Sequence, residues 1–408
     1  MKIILINKFH YRRGGAETYY FDLGEVLEAH GHEVHYFSMK DENNYPCGDE
    51  HFFVNHQEYV HAKSAVQKVK ALGKTVYSFE AKRKLSELIE AVKPDLIHVN
   101  NYHRQLSCSI FDAARKHRVP VVMTAHDATN ICPQIYMNYR EGCTLCSGGK
   151  YYHCLVKRCV KHSLAMSLAG TIEGYVSKIN QVYNKIDMLV VPSAYIARIY
   201  QKDGFPSEKM TVLHNAKKMT SEQCPNWPHR DYAVFFGRLS KEKGILTLLH
   251  AISKVNCLPV YIVGDGPEKE NIEEYIQQNH LEAKVKLLGY KTGKELYEII
   301  NMARFAILPS ETPENCPYGV IEAMACGVPV LGSNLGGTPE LIESGKTGWI
   351  FEAGNGNTLA KLLVVAGQQA QSMYDECYET ANSEYSMENY YNNIVEIYRG
   401  VIDRYENR

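Results

Sequence analysis

No apolar run in this 408-residue chain approaches the roughly 20 residues that a bilayer-spanning helix needs, which excludes a helical membrane-spanning protein. The opening stretch MKIILINKFH reads as a first strand, since its apolar part is too short for a secretory signal. No low-complexity tract and no short-period repeat is present. A charge surplus of one sign is also missing: the net charge is −1, which argues against a nucleic-acid partner. The glycine-rich turn at 12–18, RRGGAET, lacks the third glycine and the spacing of a dinucleotide fingerprint, so NAD binding is not expected. These absences leave a cytoplasmic globular protein as the expectation.

What is present is ordinary in bulk and uneven in distribution. An apolar content of 45% and a charged content of 22% suit a globular fold, and 408 residues exceed what one core usually holds, so two domains are expected. Residues 1–205 hold 26 Lys/Arg against 20 Asp/Glu and are net +6; residues 206–408 hold 19 against 26 and are net −7. The cations Lys63, Lys68, Lys70, Lys74, Lys82, Arg83 and Lys84 cluster in a helix-like region. A solvated helix face is the favoured reading there, peripheral contact with an anionic membrane surface the alternative.

Strand-like and helix-like segments alternate through both halves. In the first, strands are expected at 2–7, 33–39, 95–100, 119–126 and 188–193, with helices at 16–30, 63–92, 107–117 and 165–184. In the second, 232–238, 258–264, 284–290, 305–310 and 329–333 are the strand candidates. Such alternation means parallel strands joined by right-handed crossovers, with ligands beyond the C-terminal strand ends. The expected division is 1–205 and 206–385. The polar, proline-bearing stretch 215–232 is a linker candidate. Met387, Tyr390, Ile394, Ile397, Val401 and Tyr405 recur at helical spacing, so 386–408 is an amphipathic helix that must pack on something.

The most informative stretch is 306–330, AILPSETPENCPYGVIEAMACGVPV: a strand, a polar loop and a helix beginning near Tyr318. A helix start offers backbone N–H groups and the positive end of the dipole to an anion such as phosphate. Glu314 in the loop and Glu322 on the helix, eight positions apart, suit hydroxyls instead. Anion and polyol together suggest a sugar nucleotide. In FGRLSKEKG (236–244), Arg238 and Lys243 can reach a diphosphate as a fork and a point charge; a solvated turn with two surface cations fits equally well. VGDGPEKE (263–270) is a second glycine-bearing strand end around Gly264, also readable as a turn into a helix capped by Asp265. Gly14 and Gly15 let backbone approach a phosphate or sugar at another helix start. His98, His126 and the loop to Glu17 fall near strand ends, although a lone histidine is more often structural.

Five of the 12 cysteines lie in one segment. Cys143, Cys146, Cys154 and Cys159 follow C-x2-C-x7-C-x4-C, with Cys132 upstream. A structural zinc is the sharper reading, but the spacing matches no standard finger, and reduced thiols in a basic insertion loop are favoured.

Taken in order, these pieces resemble the retaining glycosyltransferases of family four, whose GT-B architecture has two facing Rossmann-like domains and a terminal helix crossing back to the N-terminal one. The resemblance runs through GGAE (14–17), His126–Asp127, VPS (191–193), HNA (214–216), GRLSKEKG (237–244), GDGP (264–267), LGY (288–290), Glu314 to Glu322, and GGTPELIESGKTGWIF (336–351). It implies transfer of a sugar from a UDP- or GDP-linked donor to a glycan or lipid-linked acceptor hydroxyl, with retained configuration and no metal requirement. By the same resemblance, Arg238 and Lys243 bind the diphosphate, Glu322 the ribose and Glu314 the donor sugar. Gly14 and Gly15 lie near the phosphates, His126 beside the sugar, and Tyr290 where backbone meets the base. Gly264 joins the donor side, and Glu17 and His98 are the acceptor-side candidates. Where many members read E-G-F-G, this chain reads Glu314-Asn315-Cys316-Pro317. Pro317 has no N–H, leaving the amides of Asn315, Cys316, Tyr318, Gly319 and Val320. Polysaccharide or glycolipid assembly at the inner face of a membrane is the expected setting. The competing expectations are a catalytically silent binding protein, which should have lost a diphosphate or ribose residue, and an epimerase, which would need a base beside the sugar.

Overall fold

The computed structural model describes residues 1–56, 76–134, 143–219 and 230–407. The chain divides into two compact units, Met1–Leu213 with Tyr391–Arg408, and His214–Tyr390. Each contains one six-stranded, wholly parallel sheet.

In the first unit the strands are β1 (Lys2–Ile6), β2 (Glu33–Phe37), β3 (Leu96–Val99), β4 (Val121–Thr124), β5 (Met188–Val191) and β6 (Met210–Val212), in the order β2-β1-β3-β4-β5-β6. In the second they are β7 (Tyr232–Phe236), β8 (Val260–Val263), β9 (Val285–Gly289), β10 (Ala303–Leu308), β11 (Val330–Ser333) and β12 (Gly348–Phe351), in the order β12-β11-β10-β7-β8-β9. Strands covered on both faces read as continuous apolar runs rather than alternating ones, and β3, β4, β5 and β11 are buried at every position.

The elements depart from the sequence reading in places with physical causes. The first unit extends past 205 to Leu213 because β6, only three residues of middling polarity, pairs with β5. GWIF (348–351), read within a motif, is the edge strand β12. The expected helix 165–184 is two helices, Leu164–Ile179 and Val182–Lys185, broken where Gln181 takes a left-handed φ of 50°. Of the expected helix 63–92, the described part is Phe79–Val92; Lys63, Lys68, Lys70 and Lys74 lie outside the described residues, as do 220–229 of the linker candidate. The remaining three cations have partners within the molecule. Lys82 donates to the Tyr77 hydroxyl, Arg83 pairs with Glu87 at 2.6 Å, and the buried Lys84 ammonium donates to the Phe53 carbonyl.

The terminal helix spans Met387–Glu406. Its apolar stripe is buried at Tyr390, Ile394, Tyr398 and Val401, as the helical spacing requires. In the first unit, Tyr391 stacks on His30 with ring centroids 3.7 Å apart, and the Tyr398 hydroxyl bonds His98 Nδ1.

Candidate active site

In an open parallel sheet, ligands bind where the strand order reverses. In the second unit the chain runs β7-β8-β9 to one side, then returns to β10 on the other, so the reversal lies between β7 and β10. The two loops leaving those strands, 237–244 and 309–317, carry Arg238, Lys243 and Glu314. The loops are joined, since Glu311 N–H donates to the Glu242 carbonyl at 2.9 Å.

Lys243 Nζ lies 2.9 Å from Glu314 Oε2, and the Ser310 hydroxyl donates to Glu314 Oε1. Both oxygens of Glu314 are therefore held. Its backbone is held as well: Gly337 N–H donates to the Glu314 carbonyl at 2.7 Å. The preceding Gly336 sits at φ 65°, where a Cβ would come within 2.1 Å of the Glu314 carbonyl oxygen. Motif 336–351 thus begins by clamping the 309–317 loop. Arg238 is exposed and makes no ion pair among the described residues.

The helix Tyr318–Ala325 follows Pro317, with no side-chain cap on its first turn. The first-turn N–H groups of a helix have no intrahelical partner. Val320 is core and its N–H donates to the Pro317 carbonyl at 3.1 Å, and Gly319 is half-buried. Glu322 Oε1 accepts from Lys217 Nζ at 2.8 Å and lies 3.5 Å from the Tyr297 hydroxyl. Burial would lower the Lys217 pKa, but the Glu322 carboxylate raises it above the ordinary lysine value. Burial, together with that carboxylate, pushes Tyr297 up to about 12.

Lys217 was not singled out in the sequence, because its partner lies 105 residues away and the residue merely follows HNA. HNA itself acquires a role. Asn215 donates its backbone N–H to Cys316 Sγ at 3.3 Å and its side-chain amide to the Cys316 carbonyl at 3.1 Å. Cys316 is buried, and burial pushes its thiol up to about 12. Gly264, at the end of β8, packs against the β7 loop: its φ is 146°, and a Cβ would lie 1.9 Å from the Gly237 carbonyl oxygen. Tyr290, after β9, is exposed.

The corresponding reversal in the first unit lies between β1 and β3. Lys8 N–H donates to the Asn101 carbonyl at 2.7 Å, tying the two loops together. Gly14 caps the helix Gly15–Ala29 in an extended conformation, and Glu17 is buried within that helix's first turn, 3.4 Å from Asn7 Nδ2. Lys8, also passed over in the sequence, is half-buried. Burial lowers its pKa, against the charges of Asp127 and Glu17. His126 Nε2 lies 2.9 Å from Asn100 Oδ1; the Asn100 amide nitrogen faces the Ile6 carbonyl, so the imidazole N–H is the donor. Burial pulls His126 down to about 4 with Asp127 opposing, which leaves it neutral near pH 7.

His98, an acceptor-side candidate, is placed by the structure away from solvent. It lies within β3 rather than beyond it and is fully buried, with Nε2 on Thr124 Oγ1 at 2.8 Å and Nδ1 on the Tyr398 hydroxyl. Burial, aided by His126, pushes its pKa down to about 3. It joins the terminal helix to the sheet.

The cysteines converge too. Cys132, Cys143, Cys146, Cys154 and Cys159 line one cavity of about 10 Å³, all as free thiols. Burial pushes Cys146 and Cys154 up to about 12. Among the described residues, no three ligating side chains are already arranged to hold a metal ion.

Against known families, residues 13–216 match the model of Glycosyltransferase Family 4, and residues 221–381 that of Glycosyl transferases group 1. The chain belongs to glycosyltransferase family 4. It is 28% identical over 216 residues to the putative colanic acid biosynthesis glycosyltransferase WcaL of Salmonella typhimurium, an alignment covering 50% of this chain and 53% of that protein. The chain thus spans about half the length of this relative. It is 26% identical to the N-acetyl-alpha-D-glucosaminyl L-malate synthase of Bacillus anthracis, over 89% of this chain and 85% of that one. Among solved structures, Anabaena HepE with UDP and glucose superposes with a TM-score of 0.67 at 16% identity, covering 98% of this chain and 100% of that one. A glycosyltransferase from Rickettsia africae gives 0.70 at 15%, covering 98% of each. These likenesses show the GT-B fold.

Proposed function

We propose that this family 4 member is a retaining, metal-independent glycosyltransferase using a UDP- or GDP-linked sugar and a glycan or lipid-linked acceptor. The observation that carries the reading is the Lys243–Glu314 pair at the strand-order reversal of the second unit, with Glu322 on the helix that follows. A cation, a carboxylate and an uncapped helix start at one reversal suit a diphosphate attached to polyols. Relatives named for colanic acid biosynthesis and for monoglucosyldiacylglycerol synthesis support an acceptor drawn from polysaccharide or glycolipid assembly.

In this reading Arg238 and Lys243 meet the departing diphosphate, assisted by the N–H groups near Tyr318. The Lys243 ammonium, now shared with Glu314, passes to the phosphate as the donor enters, freeing Glu314 for the sugar. Glu322 Oε1 is occupied by Lys217, so Oε2 is assigned to the ribose. Tyr290 and Gly264 border the base and donor, and Asn315 to Val320 line the sugar. Gly14, Gly15 and His126 keep the phosphate- and sugar-side roles that the resemblance implies, and Glu17 the acceptor-side one. The acceptor hydroxyl attacks the anomeric carbon on the face the diphosphate leaves. The carbon–oxygen bond to phosphate breaks as the new one forms, and the hydroxyl proton goes to the departing phosphate oxygen. With no covalent intermediate, charge stabilisation and orientation carry the rate.

A thermal-shift panel of nucleotide sugars tests the donor site. One donor should raise the melting temperature with a concentration dependence that Glu322→Ala abolishes. No shift from any UDP- or GDP-sugar would overturn the assignment.

A further inference from the structure

Between Cys143 and Ile172 the chain holds Lys150, Lys157, Arg158 and Lys161 and no aspartate or glutamate. All four cations are exposed, and none pairs with a carboxylate among the described residues. The same segment carries Leu145, Tyr152, Val156, Leu164, Met166 and Leu168, six of the thirteen exposed large hydrophobic side chains among the described residues. Val156 is 74% exposed and Leu164 55%. Clustering of this kind is not the scattered exposure that any surface shows.

The segment is built as a small lobe. Cys146, Tyr151, Cys154 and Val160 form a separate core, with Cys159 and Tyr175 against it. Around that core pack the short helix Tyr152–Val156 and the start of Leu164–Ile179. The apolar residues fall on repeating faces: Tyr152 and Val156 are four apart on one helix, Leu164 and Leu168 four apart on the other. Lys157, Arg158 and Lys161 sit on the turns between, and Lys150 just before the first helix. Arg158, Lys161 and His162 all hold left-handed φ values of 49–54°, which glycine or asparagine would adopt at lower cost. Basic side chains are present where the backbone disfavours them.

We infer that this lobe docks on an anionic lipid surface, with Val156, Leu164 and their neighbours entering the headgroup boundary and Lys157, Arg158 and Lys161 meeting lipid phosphates. Exposed aliphatic groups gain nothing from a nucleic-acid backbone, whereas an anionic bilayer offers charge and an apolar interior in one plane. The inference concerns this surface and does not depend on sugar transfer. It also moves membrane contact away from the 82–84 cations, which are engaged within the molecule.

The test is co-sedimentation of the full chain with vesicles of phosphatidylcholine alone or containing phosphatidylglycerol. Binding should require phosphatidylglycerol and weaken with salt. It should fall by about tenfold or more in Lys157→Glu/Arg158→Glu, and likewise in Val156→Glu/Leu164→Glu. These positions are exposed, so melting temperatures and donor-induced thermal shifts should match wild type; a failed donor assignment would therefore not be mistaken for failed docking. Lys82→Glu/Arg83→Glu should bind as wild type does. Absence of vesicle binding, equal binding by the lobe variants, or loss confined to Lys82→Glu/Arg83→Glu would overturn the inference. So would light scattering that shows a dimer broken by the lobe substitutions, since the surface would then serve self-association.

Discussion

Lys243 stands 2.9 Å from a carboxylate that is itself held by Ser310, so its charge is compensated before any donor arrives. An ammonium that meets developing charge on a leaving diphosphate is worth about a hundredfold or more in turnover. Lys243→Ala should lower kcat by that factor, read in a product assay with the donor identified by thermal shift. Unchanged turnover would remove Lys243 from the mechanism. The buried histidines set a second expectation. His10 and His126 are lowered to about 4 and His98 to about 3, in each case chiefly by burial. All three fold as neutral rings, so below their unfolded value of about 6.5 the unfolded chain takes up protons that the native state refuses. Their stabilising contribution is complete above that value and is lost as pH falls towards 4. Urea midpoints should therefore drop between about pH 7 and about pH 5, and a flat profile would contradict the assignment.

At the scale of elements, the 309–317 loop is held from two directions. Asn215 grips Cys316, and Gly336–Gly337 grips Glu314. Asn215→Ala leaves a buried carbonyl without its donor, a loss of about 1–3 kcal/mol. The expected readout is a lower denaturation midpoint with a raised donor KM. Gly336→Ala meets both a left-handed φ and a carbonyl oxygen 2.1 Å away, so it should impair donor binding more than Asn215→Ala does. The opposite ranking in a donor titration would show that the 336 turn is not the firmer clamp. Neither clamp is visible as local pattern, since each joins residues far apart in sequence. The strands were more legible: mostly apolar stretches of four to six residues, LIHV, VVMT, MLVV and ARFAIL, marked β3, β4, β5 and β10, while the three-residue β6 carried too little pattern to read.

At the scale of the whole molecule, the terminal helix belongs to both units, with its residues from Tyr391 onward counted in the first. The contact between Tyr398 and His98 joins positions 300 residues apart. Tyr398→Phe keeps the packing and removes the hydroxyl, leaving His98 Nδ1 buried without that partner. A destabilisation of about 1–3 kcal/mol is expected in urea titration. A variant as stable as wild type would show that packing alone retains the helix.

The sequence by itself determined the class of fold and the family resemblance. These depend on local periodicity, on glycines at strand ends and on residue types at short spacing, all written within a few positions of one another. Only the tertiary structure decided which candidates are free to act. His98 appeared available because it lies near the C-terminal end of its strand; in the sheet it is fully buried inside β3, and its ring nitrogens are bonded to Thr124 and Tyr398. Lys217 appeared unremarkable until the fold placed it against Glu322, and Asn215 until it met Cys316. The reason is common to all three. Whether a polar side chain is used or satisfied depends on partners between 26 and 300 residues away, and local pattern carries no information about them.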